Sequence, residues 1–195
     1  MTLHIDPSRR RIPTAILVGI IGGAFSAIVK FGWEVPFPPR TPERNATNPP
    51  QKLLEQFGIS ADTAHTTVTF NGNHLPIYSF LIHFSFAIAF GVLYCVVAEY
   101  YPRITLWQGA AFGFLVWVVF HLIVMPAMRT VPAPWDQPWQ EHFSECFGHI
   151  LWMWSIEIVR RDLRNRITHE PDPWVPLGAD GRDVVTSAKA PLPAA

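Results

Sequence analysis

Three stretches of this chain run for membrane length without a charged residue: Ile12–Val29, Leu75–Ala98 and Ile104–Met128. Apolar runs of about 18 residues or more read as transmembrane helices. The second and third lack the polar face that a helix in a water-soluble bundle presents to solvent. A fourth stretch, Phe143–Val159, is interrupted, because only Cys146–Ile156 is uncharged, and Glu145 and His149 stand where lipid-facing residues would be. Either this helix does not span, or Glu145 lies at membrane depth. An ionisable group there is costly to bury and marks a functional site facing a partner. The pattern predicts an all-α polytopic membrane protein, a four-helix transmembrane bundle. Its helices cover about 13–33, 77–98, 104–125 and 142–159, with a partly ordered periplasmic loop at 34–76. Residues 1–177 form one transmembrane domain, and 178–195 a flexible cytoplasmic tail.

Formal net charge is zero, so overall balance selects no partner, but its distribution orients the chain. Arg9, Arg10, Arg11, Arg103, Arg160, Arg161, Arg164, Arg166, Arg182 and Lys189 fall on one side; Arg40, Arg44, Lys52 and Arg129 fall on the other. The positive-inside rule then places both termini in the cytoplasm. This explains the basic residues without nucleic acid. Arginines before an apolar run also describe a signal peptide, but the run exceeds the usual h-region of about 7–15 residues. Trp33, Tyr78, Trp135 and Trp139 on the outer side, and Tyr100, Tyr101 and Trp107 on the inner, make aromatic belts. Cys95 and Cys146 lie near opposite membrane surfaces, whereas a disulfide needs Cα atoms within about 7 Å. They read as packing residues.

Small residues recur at four-residue spacing: Gly19, Gly23 and Ala27 in the first helix, Ala87 and Gly91 in the second, Gly109 and Gly113 in the third. Such stripes let helix backbones approach closely. They would serve the intrachain bundle or a homo-oligomer through the Gly19/Gly23 or Gly109/Gly113 faces equally well. In the long loop, Glu34 to Arg40 is polyproline-like. Asn48, Pro49 and Gly58 then bracket a short helix over about Pro49 to Phe57, with Leu53, Leu54 and Phe57 on one face. It would lie on the membrane or over the bundle mouth. The segment after Arg166, rich in proline and without periodicity, is expected to be extended or disordered.

The titratable residues collect in one half of the membrane. Lys30 and Glu34 close the first helix, His83 and His121 sit near the outer ends of the second and third, and His142, Glu145 and His149 share one face of the fourth. Glu157 sits at the inner boundary, where pairing with Arg160 or Arg161 and snorkelling account for it. Three readings of the outer cluster stay open. It can be structural, its side chains hydrogen-bonded between helices. It can titrate, because histidine charges between about pH 5 and 8 and Glu145 and His149 would couple. Or His121, His142, Glu145 and His149 can hold a divalent transition metal such as zinc, although their spacing matches no standard zinc signature.

No nucleophile elbow, phosphate loop, dinucleotide fingerprint or HExxH motif occurs, so no enzyme activity is expected, and no cofactor apart from that metal alternative. The expected function is a non-enzymatic response to periplasmic acidity. The alternatives are a proton- or metal-linked transport component and a structural partner of another membrane complex. Absence of an inverted repeat makes this a small carrier unless it oligomerises.

Several stretches resemble the YagU-like family of bacterial inner-membrane proteins. They are Lys30-Phe-Gly-Trp-Glu34-Val-Pro-Phe-Pro-Pro-Arg40, Leu106-Trp-Gln-Gly109, His121-Leu-Ile-Val-Met-Pro-Ala-Met128, His149-Ile-Leu-Trp-Met-Trp154 and Arg161-Asp-Leu-Arg-Asn-Arg-Ile-Thr-His-Glu-Pro-Asp-Pro173. The resemblance runs from about Arg9 to Leu177, with departures expected around Arg44–Asn73 and after Gly178. It implies an inner-membrane location and supplies no catalytic residues to carry over.

Overall fold

Pro13, with its fixed φ and missing N–H, suits the first turn of α1 (Ile12–Glu34). In this computed structural model, which describes residues 6–175 and Leu177, α1 runs unbroken to the start of the proline-rich segment. Helix α2 (Pro49–Gln56) opens with a reciprocal capping box between Asn48 and Gln51. The chain then reverses at Gly58 (φ +86°), and Ser60 caps the single-turn α3 (Ala61–Ala64). Strands β1 (Thr67–Phe70) and β2 (Asn73–Pro76) pair antiparallel, with Thr67 opposite Pro76 and Phe70 opposite Asn73. Their two-residue turn, Asn71-Gly72, has both φ positive, which fits a hairpin of the type Asn-Gly favours. The hairpin stands where the hydrophobic pattern predicts plain loop, and the Asn-Gly pair was the signal for it.

Helix α4 (Ile77–Ala98) follows directly. The third run begins later than its apolar composition predicts. Pro102–Thr105 is a 3-10 turn, and Trp107, Gln108 and Gly109 all adopt positive φ. At Gly109 a Cβ would come within 2.8 Å of the Tyr94 hydroxyl, so a glycine turn fits against α4 where a helix would not. Regular helix starts at α5 (Ala110–Trp117), widens to a π-helix at Val118–Val124, and ends as α6 (Met125–Ala127). Pro126 supplies a reason for the widening, because it donates no hydrogen bond to Leu122 and its ring crowds that carbonyl.

Among the described residues, α1, α4 and the run Ala110–Ala127 are long and apolar enough to cross a membrane. Helix α7 (Trp139–Thr168) is longer than any of these and extends past both ends of the expected 142–159. It differs in carrying buried charged residues near both ends. Helix α1 packs between α4 and α7, and α5 packs on α7. Phe86, Phe90, Phe112, Phe120 and Trp152 form an aromatic layer that joins α4 to α5 and α7. Two ends follow from this order: a terminal side with the starts of α1 and α5, and a loop side with the starts of α4 and α7.

The glycine stripes are consumed within the chain. A Cβ on Gly19 would lie 2.5 Å from Val92 Cα, one on Gly23 2.6 Å from the Ala87 carbonyl oxygen, and one on Gly113 2.4 Å from the His149 carbonyl oxygen. The faces expected to serve a homo-oligomer equally well are thus occupied by α4 and α7. Both cysteines are free.

On the terminal side, the snorkelling account of Glu157 gives way to a buried ion network. Arg160 donates to Glu157 (2.5 and 2.9 Å) and to both Asp172 oxygens (2.7 and 3.0 Å), and Tyr94 donates to Glu157 at 2.9 Å. Arg164 grips Glu99 at 2.5 and 3.1 Å, and both are only 1% exposed. Arg9 donates to the carbonyls of Pro171, Asp172 and Val175, and Arg11 to the Glu170 carboxylate. The chain after Arg166 is therefore helical to Thr168 and then folds back onto the amino terminus. Hydrophobic periodicity misses this, since polar contacts hold the segment. The expected tail 178–195 lies outside the described residues.

Candidate functional site

Glu145 and His149, one turn apart on α7, face inward and are each 5% exposed. Gly148 lies between them, and its missing side chain admits Trp33 and Lys30 from α1. A Cβ there would stand 3.1 Å from Trp33 and 3.6 Å from Lys30. Lys30 Nζ reaches Glu145 Oε2 at 3.2 Å and also pairs with Glu34, one turn on. The π-helix delivers His121, whose Nε2 lies 3.6 Å from the same Oε2. His149 Nδ1 is 3.8 Å from that oxygen but only 2.7 Å from the Glu145 backbone carbonyl. That shorter contact requires the proton on Nδ1. The two imidazoles meet edge to face with centroids 4.7 Å apart.

The remaining carboxylate oxygen is taken by a residue the hydrophobic pattern did not single out. Arg40 donates from Nη2 to Glu145 Oε1 at 3.1 Å, and Arg44 grips Glu141 with Nε and Nη2. The proline-rich segment is pinned to α7 on the way. Trp33 Nε1 donates to the Ser144 carbonyl at 2.9 Å, and Ser144 Oγ donates to the Phe37 carbonyl at 2.5 Å. Arg40 and Arg44 share the four-residue spacing of Glu141 and Glu145, and that matching was the legible hint. Such a stiff segment can present its arginines with little ordering entropy.

Two expected members lie elsewhere. His142 has its Nε2 2.8 Å from the Pro134 carbonyl oxygen and its ring against Trp117, so it braces the loop before α7. His83 stacks on Phe31 with centroids 4.2 Å apart, and its buried Nε2 has no hydrogen-bond partner. His83 is turned aside by neighbour choice, because α4 packs on α1 whereas α7 is reached by α5; His142, on α7 itself, is turned by its contacts with Pro134 and Trp117.

The assembled site holds Lys30 and Arg40 against Glu34 and Glu145, so with neutral histidines its formal charge is zero. In a low-dielectric site that balance limits the desolvation cost. Metal is a poorer fit. Donor atoms of His121, Glu145 and His149 do lie within 4.8 Å of one another. However, Lys30 and Arg40 occupy both carboxylate oxygens, and a divalent ion would face two buried cations. His142 is absent from the group. Zinc added to the purified protein at neutral pH should therefore leave its melting temperature unchanged; a saturable rise lost in Glu145→Gln would reinstate the metal reading.

Residues 24–158 match the family described as "Protein of unknown function (DUF1440)". The chain is also 44% identical over 196 aligned residues to the inner membrane protein YagU of Escherichia coli (strain K12), covering 89% of this chain and 96% of the relative. No solved structure matches it. A family region spanning most of the sequence, with this identity along nearly the whole relative, places the chain in the YagU-like, DUF1440 family of membrane proteins.

Proposed function

We propose that this is a non-enzymatic inner-membrane protein in which the Glu145 cluster latches the long loop and acid releases it. In this reading α7 is a fourth membrane helix, its charged face shielded from lipid by α1 and α5 while Phe147, Trp154 and Ile158 remain exposed. Its two ionic layers fit that role: Glu145 and Glu157 are about 18 Å apart along the helix axis, with an apolar stretch between them. The arginine asymmetry supports cytoplasmic termini, with the latch toward the periplasm.

The observation that carries the reading is the shared carboxylate. Glu145 holds the loop through Arg40 while His121 and His149 lie within 3.6 and 3.8 Å of it. A water-exposed histidine gains its proton between about pH 8 and 5, so the rings charge as the site opens to water. A proton on either ring takes the buried site from zero to +1, against Lys30 on α1 and Arg40 on the loop. The cheapest way to restore neutrality is for Arg40 to leave, because it is carried on a segment rather than on a packed helix. Closure is therefore complete at neutral pH and lost as pH falls. The bistable element is the segment Val35–Arg44, docked or released.

Amide hydrogen exchange at pH 7 and pH 5, corrected for intrinsic rates, tests this on the full chain in detergent or nanodiscs. Exchange across residues 35–44 should rise about tenfold in acid, the factor that one unit of protonation linkage supplies. In His121→Phe/His149→Phe it should stay at its neutral level. Equal protection of the wild type at both pH values would sink the proposal. A rise of the same size in the double variant would reduce the histidines to packing residues.

A further inference from the structure

On the loop side, beside the latch, lies an open cavity of about 570 Å³ lined by Arg40, Arg44, Lys52 and Arg129, with Thr47 and Thr130 on its wall. These are the four basic residues assigned to the outer loops, brought together from three separate segments. None of the residues lining the cavity is acidic. Random placement of solvated charges gives mixed signs, so a concave surface of one sign is an anion trap.

The cations are not fully used by the protein. The Arg129 guanidinium makes no ion pair or hydrogen bond among the described residues; only its backbone N–H is used, donating to the Pro126 carbonyl at 2.9 Å, and its backbone sits in the left-handed region (φ +57°) directly after the third apolar run. Arg40 gives one Nη2 bond to Glu145, and Arg44 gives Nε and Nη2 to Glu141. Each guanidinium has five N–H donors in a fixed fork, so each retains N–H groups for a second anion. Lys52 pairs with Glu55 at 3.4 Å and is half-exposed. Pro126, Pro132 and Pro49 stiffen the wall.

Depth argues for the ligand class. The cavity opens where the run Ala110–Ala127 ends, and its lining residue Ala133 stands two positions before the exposed indole of Trp135 (84%). Aromatic residues of that kind mark headgroup level. Arginine forks match phosphate oxygens bidentately.

We infer that this cavity binds an anionic phosphate group, supplied by a phospholipid headgroup or by a free phosphate-bearing solute. The site does not require the latch reading. It shares Arg40 and Arg44 with the latch, so an occupied cavity would compete with Glu141 and Glu145 for the same arginines.

The test uses the full chain purified in a neutral detergent, with Lys52→Gln/Arg129→Gln as the variant, since neither residue holds the Glu145 cluster. Thermal melting and equilibrium binding are followed with inorganic phosphate, with phosphatidylglycerol in mixed micelles, and with zwitterionic phosphatidylethanolamine as control. Saturable binding of inorganic phosphate, weakened roughly tenfold or more in the variant, identifies a free-anion site. Binding of phosphatidylglycerol alone, with the same loss, identifies a headgroup site. No saturable binding of either probe, or equal binding by wild type and variant, overturns the inference. The variant's unchanged exchange pattern at residues 35–44 at pH 7 shows that loss comes from the cavity, not from an opened latch.

Discussion

Replacing Arg164 by methionine should remove about 3–5 kcal/mol of stability and lower the melting temperature by roughly 10 °C. The effect is large because Arg164 is the guanidinium that grips the buried Glu99 carboxylate, with both side chains almost completely enclosed. Removing one partner strands a charge in the interior, whereas removing both together does not. Glu99→Gln/Arg164→Met should therefore recover most of the loss, the glutamine still accepting the Arg11 N–H that Glu99 now takes at 3.0 Å. Melting curves followed by circular dichroism decide the matter. A single variant as stable as wild type would mean that water reaches Glu99. A double variant no better than the single one would mean that Arg164 acts mainly through its bonds to Arg9 and Pro171.

The second large effect is expected at Gly23. Its substitution by valine places a Cβ 2.6 Å from both the Ala87 carbonyl oxygen and Ile88 Cα. These are backbone atoms of α4 and cannot rotate away, so the helices must separate along the seam. Overpacking of this kind costs about 3 kcal/mol. The contrast within the same helix is Gly32, where a Cβ would meet nothing within 4 Å. Gly32→Ala should be neutral or slightly stabilising, by about 0.5–1 kcal/mol, through helix propensity alone. The two variants measured side by side separate packing from propensity. If both behaved alike, the α1–α4 approach would be looser than the seam describes.

The latch and the terminal network place opposite demands on the same long helix. At the loop side α7 holds its charges against the proline-rich segment, which the proposed latch would release; at the terminal side it holds them against its own carboxyl-terminal continuation and the amino terminus. Both layers are ionic, yet among the described residues only the first includes histidine side chains beside its carboxylate. Acid sensitivity is therefore expected to be local to the loop side.

Much of the architecture was legible in the residue order. Three long apolar runs needed no tertiary information, because burial in lipid leaves its mark on every residue of a spanning helix. The short helix Pro49–Gln56 was equally readable, since its start and stop are set by residues adjacent in sequence: Asn48 as cap and Gly58 beyond the end. Glu145 and His149 were identifiable as a pair because four residues on one helix always share a face.

What the tertiary structure decided is which helix lies beside which, and at what rotation. Apolar periodicity in a membrane helix carries little azimuthal information, because lipid and protein neighbours are both apolar. So His83 and His121, alike in sequence, diverge: one packs on Phe31, the other meets Glu145. Gly19, Gly23 and Gly113 read as seams of unknown partner, and only packing assigned them to α4 and α7. Arg40, and the Arg160 and Arg164 network, join residues far apart in the chain through charge, which has no period. Sequence determines where charges and apolar runs stand along the chain. Their partners depend on helix order and rotation, which long-range packing sets.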